Sequence, residues 1–289
     1  MTPSEYCQQK AAQSGSSFYY SFLFLPEDKR QAIIALYAFC REVDDVVDNT
    51  SDINLARTKL AWWRSEIDNM YQHQPTHPVT QALAPVLKEI DLPRIHMLEV
   101  IQGMEMDLET HNYADFEQLK IYCYHAASSV GLLSARIFGY QQESTLQYAQ
   151  DLGMAFQLTN IIRDVYEDAQ RGRFYLPADE LEKFGVSQTD ILQQRYTESF
   201  YKLMRFQAER AHSYYEQAFQ YLAETDRYAQ RAGIVMSAIY RTLLQEIEND
   251  GFKVLSHRTS LPPLRKLWLA WRTLRQEKKR YKKYRANKL

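Results

Sequence analysis

Two short acidic runs in this chain place carboxylates where an apolar helix gains nothing from keeping them unless a cation binds. In Tyr37-Ala-Phe-Cys-Arg41-Glu-Val-Asp44-Asp45-Val-Val-Asp48, a helical turn of about 100° per residue gathers Tyr37, Arg41, Asp44 and Asp48 within about 60° of one another. Asp44 and Asp48 are then i,i+4 neighbours whose charges repel, and aspartate is a poor mid-helix residue. The flanking Phe39, Val43, Val46 and Val47 mark the helix as largely buried, so this is no ordinary solvated face. A hard divalent cation relieves the repulsion. Mg²⁺ takes one or two carboxylates and completes its shell with water and phosphate oxygens.

A second stripe strengthens the reading. In Gln157-Leu-Thr-Asn160-Ile-Ile-Arg163-Asp164-Val-Tyr-Glu167-Asp168, residues 157, 160, 164 and 168 fall within about 80° of arc. Their oxygens form another hard-cation surface, and two such helices facing each other would hold a Mg²⁺ cluster. Arg41, Arg163, Arg171 and Arg173 lie in or beside the stripes. Guanidiniums with carboxylate-bound metal suit a diphosphate. The implied chemistry is ionisation of an allylic diphosphate, with an apolar wall keeping the carbocation from water. Asp45 is left to pair with Arg41 at i,i+4. A di-iron bundle would need Glu-x-x-His on two helices, and only Glu209-Arg-Ala-His212 fits that pattern. No Gly-x-Gly occurs, which excludes P-loop and Rossmann readings.

The elements that must carry these stripes are helices. Nine Gly and nine Pro in 289 residues are few, and the intervals between Pro93, Pro177 and Pro262 run 83 and 84 residues without proline. A β-sandwich needs turn residues every 8–12 positions or so, so the chain reads as all-α. Thr2-Pro3-Ser4-Glu5 is a capping-box start. Further helices are expected from Pro26 to about Asn49, Asp52 to Gln72, Pro93 to His111, Asp115 to Gly139, Glu143 to Gln170, and from Ser187 on to Asp250. His73–Pro78 and Arg171–Pro177 read as connectors. Three cysteines form no disulfide framework. Neither a signal peptide nor a spanning helix is visible, which predicts a cytoplasmic protein.

Several motifs resemble those of the squalene/phytoene synthase family. They are Ser16-Ser17-Phe18, Tyr37-Ala-x-Cys-Arg41, Asp44-Asp45-Val-Val-Asp48, Tyr122-Cys-Tyr, Val130-Gly131, Asn160-x-x-x-Asp164-x-x-x-Asp168 and Arg171-Gly-Arg-x-Tyr-Leu-Pro177, in order over about residues 5 to 250. The resemblance implies a single-domain helical bundle of the isoprenoid synthase type around a central active-site cavity. It implies head-to-head joining of two prenyl diphosphates, with two or three Mg²⁺ ions held by Asp44, Asp48, Asn160, Asp164 and Asp168. It also implies diphosphate contacts from Ser17, Tyr37, Arg41, Gln157, Asn160, Arg163 and Tyr240, a flap carrying Arg171 and Arg173, and proton handling by Tyr122. Catalysis would rest on Tyr122, Asp44, Asp48 and Arg163. The opening through Pro26 and Gly103-Met-Glu-Met-Asp107 look most like bacterial presqualene diphosphate synthases of hopanoid biosynthesis. The expected reaction is therefore two farnesyl diphosphates to presqualene diphosphate plus diphosphate, without NADPH, with a downstream enzyme completing squalene. NADPH-dependent squalene synthesis, phytoene synthesis from the C20 substrate, and a non-catalytic membrane scaffold are the alternatives.

Charge is unevenly spread. Residues 265–289 hold eleven Lys/Arg against Glu277 alone, about +10 in a chain of net charge −1. The division expected is an all-helical synthase domain over 1–261 and a basic amphipathic tail over 262–289. Leu264-Arg-Lys-Leu-Trp-Leu-Ala-Trp-Arg reads as an interfacial helix on the inner face of the cell membrane, with a terminal helix partly packed on the body and solvated at its end as the alternative. An acidic body offers no basic groove for nucleic acid.

Overall fold

A computed structural model of the chain describes residues 1–13, 17–50 and 52–287, with Ser17 and Tyr19 described by backbone alone. The elements are α1 (Pro3–Gln13), α2 (Ser17–Phe22), α3 (Glu27–Asp48), α4 (Ile53–Tyr71), α5 (Pro78–Leu83), α6 (Arg94–Glu109), α7 (Phe116–Cys123), α8 (Ser129–Phe138), α9 (Ser144–Gln170), α10 (Ala178–Phe184), α11 (Gln188–Leu192), α12 (Glu198–Tyr221), α13 (Arg231–Asn249) and α14 (Pro263–Ala286). No strand occurs among the described residues, and one isolated bridge joins Asn112 to Phe174. The architecture is all-α.

Local chemistry explains most boundaries. Thr2 and Glu5 exchange the reciprocal bonds of a capping box, and the side chains of Asp52 and Asp115 cap α4 and α7. No helix is expected from the sequence between Pro177 and Ser187. There α10 forms behind Pro177, with acids in its first turn and Gly185 in the left-handed region at its end. The short α5 likewise starts on Pro78. The expected helix from Asp115 to Gly139 is interrupted by a π turn over Tyr124–Ser128. Gly153 of α9 lets that turn approach, because a Cβ there would stand 2.7 Å from the Ala127 carbonyl oxygen.

Helices α3 and α9 belong to different halves of the core. Residues 7–104 of α1 to α6, with part of α8, bury one apolar cluster containing Phe39, Val43 and Val47. Helices α9, α12 and α13 dominate the other, with Ile161, Ile162 and Val165. The buried faces of α3 and α9 thus anchor in separate clusters, leaving their polar stripes to meet in the space between.

Within the first half, buried Glu66 ties the loop before α5 to α4. Its carboxylate accepts from the Thr76 and His77 amides at 2.7 Å each and from the Thr76 and Thr80 hydroxyls. Burial pushes this carboxyl up, but the donors outweigh burial and hold it at about 2. The group is therefore depressed below its ordinary 4.5, so the stability it contributes is present above that value and is lost as pH falls from there towards about 2. Glu66→Ala is expected to cost about 3 kcal/mol at neutral pH. Urea denaturation of both proteins at pH 7 and pH 3 checks this, the difference between them shrinking at the lower pH.

Candidate active site

The two stripes share one pocket through their polar and cationic members, while Asp44, Asp48, Asp164 and Asp168 do not line it. Tyr37 and Arg41 from α3, Asn160 and Arg163 from α9, and Tyr240 from α13 line one polar pocket of about 330 Å³. Arg258, in the segment between α13 and α14, and Lys266 on the first turn of α14 complete its wall. Burial lowers the Lys266 ammonium, and the cationic Arg163 and Arg258 lower it further. An anion beside Lys266 would oppose the repulsion it feels from Arg163 and Arg258.

The carboxylates are met by guanidiniums. Asp48 accepts from Arg173 at 3.1 Å and Arg171 at 3.2 Å, which draws the connector after α9 across to the end of α3. Asp164 is forked by Arg163 at 2.7 Å and Arg258 at 2.8 Å. Burial would raise Asp164, yet these two cations hold it below the ordinary carboxylate range. Asp44 accepts from Arg41 at 2.5 Å, and the second arm of Arg41 reaches Asp45 at 2.6 Å. Lys10 also holds Asp45 at 2.8 Å, so Asp45 plays the pairing role expected of it. Burial outweighs Arg41 at Asp44 and pushes it to about 6, with Asp48 and Asp45 adding repulsion. Asp168 is pushed to about 8, first by burial and then by Asp164.

These groups fit Mg²⁺. The donors are carboxylates and an amide, all hard oxygens, and the buried Asn160 Oδ1 lacks a hydrogen-bond partner. Among the described residues no group of three or more His, Cys, Asp or Glu forms a ready-made cage.

An apolar cavity of about 220 Å³ adjoins the polar pocket and shares Phe18, Tyr37 and Asn160 with it. Its walls combine both core halves, including Phe22 and Leu36 on one side and Leu152 and Phe156 on the other. Phe18 sits at the junction, its ring 6.1 Å from Tyr37 and 5.8 Å from Tyr240.

Tyr122 lies behind this wall. The Gln157 amide, which does line the cavity, donates to the Tyr122 hydroxyl at 3.5 Å. Tyr122 donates to Asp107 at 3.1 Å, and Tyr175 donates to the other Asp107 oxygen at 2.6 Å. Burial pushes Asp107 up to about 6 despite both phenols, and pushes both phenols well above 10. Asp107 and Tyr175 were absent from the expected site, as were Arg258 and Lys266. An acid among Met104, Met106 and Leu108 was a usable signal for Asp107; Arg258 and Lys266 carried none, because only the return of the chain brings them here. Ser17 starts α2, and its side chain, like Ser16, lies outside the described residues. Among the described residues Glu209 pairs with Arg205 and His212 with Glu248.

Residues 11–265 match the family model described as squalene/phytoene synthase. A phytoene synthase of Arthrospira platensis is 34% identical over 276 residues, 91% of this chain and 89% of that one. The 15-cis-phytoene synthase of Synechococcus elongatus is 34% identical, with 91% and 89% covered. A dehydrosqualene synthase crystallised with a ligand superposes with a TM-score of 0.84 at 28% identity, covering 96% of this chain and 97% of that one. A squalene synthase from Alicyclobacillus acidocaldarius gives 0.78 at 26% identity, over 86% and 94%.

Proposed function

The chain belongs to the squalene/phytoene synthase family, and from that premise we propose that it joins two farnesyl diphosphates head to head. The products are presqualene diphosphate, diphosphate and a proton. What carries the reading is one juxtaposition: a pocket lined by Arg41, Arg163, Arg258 and Lys266 opening into an apolar cavity, with acidic stripes on both flanking helices. The C15 substrate is favoured by the structural likeness to dehydrosqualene and squalene synthases. The C20 alternative, giving prephytoene diphosphate or phytoene, is favoured by the phytoene synthases among the sequence relatives.

The four cations bind the diphosphates and oppose their charge as a C–O bond breaks. Asp44, Asp48, Asn160, Asp164 and Asp168 would hold Mg²⁺, which supplies further neutralisation of the leaving group. Tyr37 and Tyr240 flank the diphosphate end, and Phe18 and Phe156 hold the tails and exclude water while the allylic cation lives. The new carbon–carbon bonds close a cyclopropane ring as a proton leaves. Tyr122, oriented by the Gln157 amide, takes that proton on its oxygen while passing its own to Asp107. Arg171 and Arg173 hold the connector closed through Asp48. Since both substrate and product are lipids, the enzyme works beside a membrane, and a separate enzyme completes squalene.

The test is a product assay with radiolabelled farnesyl diphosphate and Mg²⁺, with and without NADPH. Presqualene diphosphate in both tubes is the expected result. Squalene only with NADPH, or turnover only of the C20 substrate, would replace the reading with one of the alternatives. Within it, Tyr122→Phe is expected to slow presqualene diphosphate formation about 100-fold, and Asp107→Asn about tenfold, with substrate affinity little changed. Single-turnover rates beside equilibrium binding of the substrate separate the two effects.

A further inference from the structure

Helix α14 carries two apolar stripes, and the body uses one. Leu269, Ala270 and Thr273 are buried against it, and Glu277 is buried in a pair with Arg227 at 2.7 Å. The other stripe is Leu264, Leu267, Trp268 and Trp271, spaced i, i+3, i+4 and i+7 within about 100° of arc. These side chains face solvent, with Leu264 81% and both tryptophans about half exposed. Further along this outer face stand Arg272, Arg275, Lys278, Lys279 and Lys282, all exposed. None of these five is in an ion pair with a described acid, and Arg272 and Arg275 instead lie over Trp268 and Trp271 at 5.2 and 5.3 Å.

We infer that this outer face of α14 docks on an anionic lipid bilayer. Charge complementarity decides the occupant, because the one acid of the helix is turned inward and the outer face presents cations alone. Tryptophans flanked by guanidiniums suit the headgroup boundary, where one part of the ring is apolar and the other wet. The same helix places Lys266 in the polar pocket and packs on α2 by setting Lys266 over the Tyr20 ring at 5.6 Å. The turn after α2 exposes Leu23 and Phe24. Docking through α14 therefore sets the bilayer about one helix diameter from the pocket, on the far side of α14 from Lys266, and a prenyl diphosphate leaving the membrane passes around that helix to reach it. This last step rests on the function proposed above; the docking itself does not.

The test uses the full chain and vesicles without substrate, so its outcome is independent of turnover. Co-sedimentation is expected to be at least about 100-fold tighter on phosphatidylglycerol than on phosphatidylcholine vesicles, and to weaken with salt. The double substitution Trp268→Ser with Trp271→Ser is expected to weaken binding at least about tenfold, with unchanged circular dichroism and unchanged turnover of detergent-dispersed substrate. Replacing Lys278, Lys279 and Lys282 by Gln tests the charge separately and is expected to remove most of the preference for the anionic vesicle. Equal binding to both vesicles, or none, overturns the inference. So does a protein mass that rises with concentration without lipid and falls in the tryptophan variant, which would assign the stripe to a second copy of the chain.

Discussion

Asp48→Ala and Asp164→Ala are each expected to lower presqualene diphosphate formation about 1000-fold while the protein stays folded. Losing a single preorganised group that stabilises developing charge costs about 100- to 1000-fold, and each aspartate contributes in two ways. Asp48 is one oxygen donor of the α3 stripe, and it also draws in Arg171 and Arg173. Asp164 belongs to the α9 stripe and holds Arg163 and Arg258 at the pocket wall. Asp48→Ala gives up an exposed pair with Arg171 worth at most about 1 kcal/mol but also strips the largely buried Arg173 of its carboxylate, so Asp48→Asn is its companion variant. Asp164→Ala leaves the buried Arg163 without its partner, so Asp164→Asn, which keeps the shape and some hydrogen bonding, is the companion variant. Because the stripes act as a unit, the double substitution should fall little below the single ones. Turnover assays beside melting curves decide. A single variant retaining more than a tenth of the activity would remove that residue from the proposed machinery.

Chelation is expected to have an effect as large: EDTA abolishes turnover and added Mg²⁺ restores it. Without a cation, a departing diphosphate meets Asp44, Asp48, Asp164 and Asp168 as well as the cations, and the acids cancel much of the attraction. A binding readout accompanies the activity. Mg²⁺ with inorganic diphosphate should raise the melting temperature, by about 2.7 kcal/mol of added stability when the ligand is 100-fold above its Kd. Either component alone should do much less, because no preformed cage awaits the metal among the described residues. An equal shift from diphosphate alone would mean that the arginines and Lys266 suffice for binding and that the acidic stripes serve another purpose.

Much of this was readable before any fold was known. Helical periodicity alone put Asp44 on one face with Asp48, and Asn160 on one face with Asp164 and Asp168, since residues four apart on a helix are neighbours whatever surrounds them. Capping at Thr2, Asp52 and Asp115 and the scarcity of glycine and proline are local signals too, and they set the starts of α1, α3, α4, α6, α7 and α9 within a residue. Helices α5 and α10 and the breaks between α11, α12 and α13 are not expected from the sequence. The pairing of Arg41 with Asp45 is local in the same way.

Other features depend on distance in the chain. Arg258 lies 94 residues from Asp164, and Lys266 lies on a segment whose composition reads only as a basic tail. Asp107 becomes part of the site because Tyr122 and Tyr175 arrive from elsewhere to satisfy both of its oxygens. The helix α14 reads from sequence as one amphipathic surface, and tertiary packing split it into a face spent on the body and a face left to solvent. Sequence determined which groups share a helix face, because that follows from the backbone period. Tertiary structure decided which faces meet, because burial of two separate apolar clusters, and not the stripes themselves, sets where α3 and α9 stand.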